Sequence, residues 1–145
     1  VSFEDAVLKK IGEEFFDPEL LKTVRQRLPK PILKTQAYCQ YQIDDVLIYG
    51  FVDILGRNEV VDLKTTSHYE PNRYKEDHQN FYLPAFVKNG VRQIRYLITD
   101  FQQVYEEVYD LHTHFEIQLN EIYLFKLFLY EHQNRITDSK IFSKT

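Results

Sequence analysis

Residues 50–65 have the sequence GFVDILGRNEVVDLKT, in which a short polar turn separates two mainly apolar runs. The runs at 50–55 and 59–65 are rich in valine, isoleucine and leucine, the composition of β-strands. Glycine, arginine and asparagine at 56–58 are typical of a tight connection. The stretch therefore predicts a β-hairpin, and the hairpin in turn predicts which polar side chains lie opposite each other.

Three charged residues of this hairpin are predicted to point the same way. A two-residue loop at 57–58 brings Asp53 opposite Asp62, with Cβ atoms about 5 Å apart, and strand alternation puts Lys64 on the same face as Asp62. Two carboxylates at that distance repel each other, and a divalent cation would remove the conflict. Lys64 beside the cation would hold a water or neutralise charge on a phosphate. The spacing of these three residues fits a metal site and an ordinary ion-pair cluster between two strands equally well.

Hydrophobic periodicity predicts the other elements of the chain. The predicted helices span 1–16, 17–28, 69–88 and 112–133, and the predicted strands span 35–43, 46–55, 59–66, 91–99 and 104–111. Three short-looped strands in succession predict an antiparallel meander, which a crossover strand extends. The expected architecture is an α/β domain built on one mixed central sheet flanked by helices.

Length and composition predict one globular domain over residues 1–145. The chain is 43% hydrophobic and 28% charged, and it has no apolar run of the roughly 18 residues that span a bilayer, so no membrane partner is expected. Cys39 is the single cysteine, which excludes a disulfide framework and favours an intracellular setting. Val1 in place of a methionine indicates a trimmed chain or a piece of a longer protein, so further domains or protein partners of a larger assembly are possible.

The hairpin motif, followed by a helix containing His78-Gln79 and Tyr82, resembles the PD-(D/E)XK nuclease superfamily, and within it the RecB-like exonuclease branch. The resemblance covers residues 46–99. It implies a restriction-endonuclease-like αβββαβ core and a metal-dependent deoxyribonuclease, preferentially an exonuclease, that acts in DNA processing, repair or recombination. The expected cofactor is Mg²⁺ or Mn²⁺, and the expected partner is DNA.

The resemblance also assigns roles to individual residues. Asp53 and Asp62, with the backbone carbonyl of Leu63, would hold the metal, and Lys64 would act on the attacking water. The residues that would contact or position the DNA are Thr65, Gln79 and Tyr82. The family spaces the glutamine and tyrosine four residues apart, whereas here they are three apart and His78 has the spacing of four. An acid on the first helix, Glu13 or Glu14, or an element preceding Val1, would complete the metal site, and Glu13 is the expectation carried forward.

Net charge is −4, which argues against a nucleic-acid binder held by bulk positive charge. The acidic excess lies in residues 96–145, because residues 1–95 carry 14 basic and 14 acidic side chains. Residues 20–43 contain basic residues and no acids, which allows a stripe along a phosphate backbone or simply a solvated helix face. The stripe consists of Lys22, Arg25, Arg27, Lys30 and Lys34.

Two other classes of function fit the same residues. A catalytically inactive nuclease-like module would bind DNA or a partner protein, and an unrelated α/β interaction domain would use the three polar residues as a structural cluster. A zinc site at His112, His114 and His132 is discounted for want of a cysteine or a close third ligand. The apolar run at 122–130 predicts a helix buried against the sheet or in a partner contact.

Overall fold

A computed structural model describes residues 2–137, without the side chains of residues 111–118. The chain forms an α/β fold with a five-stranded mixed sheet. The helices are α1 (Phe3–Lys9), α2 (Pro18–Gln26), α3 (Leu111–Glu131) and two 3₁₀ helices, Glu13–Phe15 and His78–Asn89. The strands are β1 (Lys34–Ile43), β2 (Val46–Leu55), β3 (Glu59–Thr65), β4 (Gln93–Thr99) and β5 (Val104–Asp110).

The sheet has the strand order β1-β2-β3-β4-β5. β1, β2 and β3 are an antiparallel meander, β4 joins β3 in parallel after a crossover, and β5 closes the sheet antiparallel to β4. The predicted mixed sheet with a meander and a crossover strand is therefore confirmed. Val60, Val61 and Ile94 are at most 1% exposed, because β3 and β4 lie at the centre of the sheet.

Apolar clusters cover both faces of the sheet. On one face α1 and α2 pack over Ile54, Val61 and Leu97. On the other face the 3₁₀ helix His78–Asn89 packs Leu83 and Phe86 over the sheet. The two layers meet the hairpin from opposite sides, so residues of both layers approach the charged part of β2 and β3.

The predicted helix at 1–16 was wrong beyond Lys9. Lys10 and Gly12 adopt left-handed backbone angles, with φ of 57° and 77°, which end α1 and redirect the chain. A single 3₁₀ turn follows, and Asp17 caps α2 by accepting the Glu19 N–H at 2.9 Å. The break matters for the site because it decides which acid belongs to α1.

The predicted helix at 69–88 was also wrong over its first part. Residues 71–76 form turns, and helical structure begins at His78, directly after the cap Asp77. The helix is of the 3₁₀ type and contains Pro84, which has no N–H to donate. The helix therefore has about three residues per turn, which changes which side chains share a face.

The helix α3 is buried along one side only. Ile122 and Leu129 are 6% and 8% exposed, whereas Tyr123, Leu124 and Phe125 are more than half exposed. The expected burial of the whole run against the sheet is therefore not met by these residues, and the alternative of a partner contact stays a prediction. The side chains of His112 and His114 lie outside the described residues, and Nδ1 of His132 lies 2.9 Å from the Phe128 carbonyl oxygen.

Candidate functional site

The β2–β3 hairpin has the predicted register. The Gly56 N–H donates to the Glu59 carbonyl at 2.9 Å, and Ile54 pairs with Val61. In this register the next position places Asp53 opposite Asp62. Here the backbone ladder between the two strands stops, and the Leu63 N–H donates instead to Oδ2 of Asp53 at 2.9 Å. The backbone pairing of β2 and β3 therefore ends at the two acids, and the Asp53 carboxylate, in place of a backbone carbonyl, accepts the Leu63 N–H.

Asp62 is the buried acid of this hairpin, with only 2% of its surface exposed. Burial, together with the charge of Asp53, raises its pKa to about 8, although Lys64 acts in the opposite direction. Oδ2 lies 3.2 Å from Nζ of Lys64, but without the geometry of a hydrogen bond, and it has no other hydrogen-bond partner among the described residues. The carboxylate is thus under-compensated in its buried position.

Lys64 lies between two acids. Besides Asp62, its Nζ is 3.5 Å from Oδ2 of Asp77 and 5.7 Å from the centre of the Tyr74 ring. Burial alone would lower the pKa of Lys64, but the two carboxylates outweigh burial and raise it. The lysine is therefore an ammonium ion at neutral pH.

Asp77 is a site residue that the sequence analysis missed. Its Oδ2 accepts the Gln79 N–H at 3.1 Å, which caps the helix His78–Asn89. The same carboxylate holds Lys64, so the cap links the helix to the charged hairpin. An aspartate directly before a helical segment is a recognisable cap signal, but the predicted helix start at 69 placed Asp77 inside the helix.

Glu4 is the acid of α1 that approaches the hairpin. Gln36 Nε2 donates to Glu4 Oε1 at 2.5 Å and to Asp53 Oδ1 at 3.4 Å, which joins the two carboxylates through one amide. Burial, followed by the charge of Asp53, raises the pKa of Glu4. Gln36 has a φ of 48°, an uncommon backbone conformation for a residue with a side chain, at the point where it contacts both acids.

Glu13 does not join this group. It lies in the short 3₁₀ turn after α1, and its Oε1 accepts from Nη2 of Arg25 at 2.5 Å. Arg25 also donates to the carbonyl oxygens of Ala6 and Val7, at 2.6 and 3.0 Å. Arg25 thus ties α2 to α1 and to the turn that follows it, and Glu4, not Glu13, is the acid that approaches Asp53.

Gln79 and Tyr82 share a helix face in spite of their spacing. In a 3₁₀ helix, residues three apart are eclipsed. A spacing of three therefore places two side chains on one face, as a spacing of four does in an α-helix. Oε1 of Gln79 is buried and has no hydrogen-bond partner among the described residues, and its Nε2 is 3.3 Å from Nε2 of His78. The Tyr82 ring lies across Gly50 of β2, so a Cβ there would be 2.3 Å from Cζ of the ring.

The predicted basic stripe is not continuous in the structure. Lys22 is exposed on α2, whereas Arg25 turns inward and Arg27 pairs with Glu106 at 3.6 Å. Thr65 is exposed at the end of β3, paired in register with Thr99. Among the predicted DNA contacts outside the 3₁₀ helix His78–Asn89, Lys22 and Thr65 are exposed, Arg27 is exposed but paired with Glu106, and Arg25 is turned inward.

Comparisons with known proteins place the chain in no family. No protein-family model and no curated protein matches it. The chain is similar to SSO0001, a protein of known crystal structure, at 12% identity over 73% of this chain and 59% of that chain, with a TM-score of 0.40. Among residues 2–110 and 119–137, no group of three or more histidine, cysteine, aspartate or glutamate side chains is arranged to hold a metal ion. No helix in the described part of the chain is long and apolar enough to cross a membrane.

Proposed function

We propose that this chain is a metal-dependent deoxyribonuclease. One observation carries the proposal: Asp62 is buried opposite Asp53, with its Oδ2 lacking a hydrogen bond and the ammonium of Lys64 3.2 Å away. Buried acids with raised pKa values next to a specific charge partner are concentrated at functional sites. The resemblance of this hairpin to PD-(D/E)XK nucleases supplies the reaction class.

The residues present fit a hard divalent cation. Oδ2 of Asp62 is an oxygen ligand without a hydrogen bond, and the repulsion among Asp62, Asp53 and Glu4 is what a cation would relieve. Asp53 and Asp62 would hold Mg²⁺ or Mn²⁺ together with the Leu63 carbonyl, and Glu4 is placed to replace Glu13 as the first-helix acid. When bound, the cation supplies positive charge for a phosphate and lowers the pKa of water.

Lys64 and the helix residues Gln79 and Tyr82 have separate roles in the proposed reaction. Lys64 is held as an ammonium ion by Asp62 and Asp77, so it stabilises negative charge on the phosphate and orients the attacking water, and it does not take up a proton. Gln79 and Tyr82, on one face of the capped helix, position the DNA backbone. We propose exonuclease action in DNA processing, repair or recombination on the resemblance alone.

Cleavage of end-labelled linear and circular single-stranded DNA tests the proposal. With Mg²⁺ or Mn²⁺ we expect loss of the linear DNA, survival of the circle, and no reaction in EDTA. Lys64→Ala should lower turnover at least about 100-fold, because it removes the charge next to the phosphate. The matched control is Lys75→Ala, which removes an exposed lysine from the neighbouring turn.

The possible results separate the alternatives. Absence of cleavage by a folded protein that still binds the metal would overturn the nuclease and favour the inactive module. Cleavage that survives Lys64→Ala would remove this lysine from the mechanism. Cutting of the circle would make the enzyme an endonuclease.

A further inference from the structure

A second group of charges lies at the other end of β3 from Lys64. An open cleft of about 640 Å³ surrounds the β2–β3 turn. Three cationic side chains line it: Lys30 from the α2–β1 connection, Arg57 from the turn, and Arg92 from the segment before β4. Segments far apart in the sequence therefore bring three positive charges to one cleft of a chain whose net charge is −4.

None of the three cations forms an ion pair with a described residue. All three side chains are exposed, and the ion pairs formed among the described side chains do not include them. Like charges that converge without a counter-charge raise the local potential, and a concave wall focuses it. The cleft is thus suited to an anion.

The acid that lines the cleft does not cancel this charge. Both carboxylate oxygens of Glu59 are bound by Arg95, at 2.7 and 3.0 Å, and Gln93 adds a hydrogen bond of 3.2 Å. Although burial disfavours its charge, the Arg95 guanidinium keeps the pKa of Glu59 below the usual value. The charge of Glu59 is therefore balanced by Arg95 of β4. The charges of Lys30, Arg57 and Arg92 remain available to bind a ligand.

The walls of the cleft are held in place by packing. The Arg92 N–H donates to the Asn58 carbonyl at 3.0 Å, which fixes the segment before β4 to the turn. Gly56 lies against Pro29, where a Cβ would be 2.8 Å from the proline Cβ, so the α2–β1 connection contacts the turn directly. These contacts fix the backbone positions from which the three cationic side chains extend into the cleft.

We infer that this cleft binds a phosphate group. Guanidinium groups donate paired hydrogen bonds to phosphate oxygens, and a lysine adds a point charge, so two arginines and a lysine suit a phosphate. The volume admits a nucleotide or the end of a nucleic-acid strand, and these two sources share the same phosphate chemistry. The inference stands on the cleft and does not need the proposed nuclease activity.

Calorimetric titration tests the inference, with pyrophosphate as one probe and a 5′-phosphorylated single-stranded oligonucleotide as the other. EDTA keeps the proposed metal site out of the measurement. The variants Arg57→Gln and Arg92→Gln are compared with Lys10→Gln, an exposed lysine that removes the same charge from another part of the surface. We expect at least about fivefold weaker pyrophosphate binding for each arginine variant, and less than about twofold for Lys10→Gln.

The two probes distinguish the source of the phosphate. If the arginine variants weaken the binding of pyrophosphate but not that of the oligonucleotide, the result would support a nucleotide or polyphosphate site. Weaker binding of both probes, with the salt dependence of oligonucleotide binding reduced by about one unit of slope, would support a nucleic-acid backbone. No pyrophosphate binding, or equal losses in all three variants, would overturn the site.

Discussion

Oδ2 of Asp77 lies 3.5 Å from Nζ of Lys64 while the same carboxylate oxygen accepts the Gln79 N–H at 3.1 Å. One side chain therefore caps the helix that carries Gln79 and Tyr82 and also restrains the lysine of the hairpin. This relationship couples the position of the helix to the electrostatics of Lys64, although residues 66–77 separate the two elements along the chain.

Substitution of Asp77 separates these two roles. Asn and Asp cap helices about equally well, so Asp77→Asn should keep stability within about 0.5 kcal/mol while removing the charge that restrains Lys64. We expect turnover to fall by about tenfold, since the lysine is held less well. Asp77→Ala should cost a further ~1 kcal/mol of stability. Chemical denaturation and cleavage rates measure both effects, and equal turnover of Asp77→Asn and wild type would limit Asp77 to capping.

Asp62 should make the stability of the metal-free protein depend on pH. Its pKa rises from 3.8 to about 8 on folding, so the folded state binds this proton more tightly than the unfolded state. Stability is then lost as the pH rises from about 4 to about 8. Asp62→Asn should remove this loss and be more stable than wild type at pH 8, by more than about 2 kcal/mol, while metal-dependent cleavage is abolished.

Urea denaturation in EDTA at pH 5 and pH 8 measures this difference. Addition of Mg²⁺ at pH 8 should raise the melting temperature of wild type and leave that of Asp62→Asn unchanged, because only wild type retains the carboxylate. An Asp62→Asn protein that is less stable than wild type at pH 8 would contradict the account of a repelling acid pair.

Glu4 and Glu13 should behave oppositely when each is changed to glutamine. Glu4 adjoins Asp53 through Gln36, so Glu4→Gln should weaken the activation of cleavage by Mg²⁺ with little loss of stability. Glu13 pairs with Arg25, so Glu13→Gln should lower stability by ~1 kcal/mol and leave the metal dependence intact. Metal titrations of cleavage compare the two variants directly. A larger shift for Glu13→Gln would return the metal role to Glu13.

Gly50 tests the placement of Tyr82. An alanine in a strand is ordinarily tolerated better than glycine, but here its Cβ would lie 2.3 Å from Cζ of Tyr82. Gly50→Ala should therefore destabilise the protein by about 2 kcal/mol, as overpacking does. In the double variant with Tyr82→Leu, which removes the ring, most of the Gly50→Ala penalty should disappear. Additive losses in this double-mutant cycle would show that the ring lies elsewhere.

Local rules were sufficient for the hairpin. A two-residue loop after Gly56 sets the register, and strand period two then puts Asp53 opposite Asp62 without any knowledge of the rest of the chain. The antiparallel meander of β1, β2 and β3 and the presence of a crossover strand also followed from loop lengths and apolar pattern, whereas the place of β4 beside β3 and of β5 at the edge did not. By contrast, the end of α1 and the start of the 3₁₀ helix depend on left-handed residues and on the cap Asp77, which the apolar pattern does not show.

The amino-acid sequence by itself determined the strands, the antiparallel pairing of the first three and the three charged residues of the hairpin, because these follow from contacts between neighbours in the chain. Only the tertiary structure decided that Glu4, and not Glu13, approaches Asp53, since Gln36 of β1 bridges them and Arg25 of α2 draws Glu13 away. Only packing, likewise, brought Asp77 to Lys64. Such contacts join residues far apart along the chain, and local periodicity has no information about them.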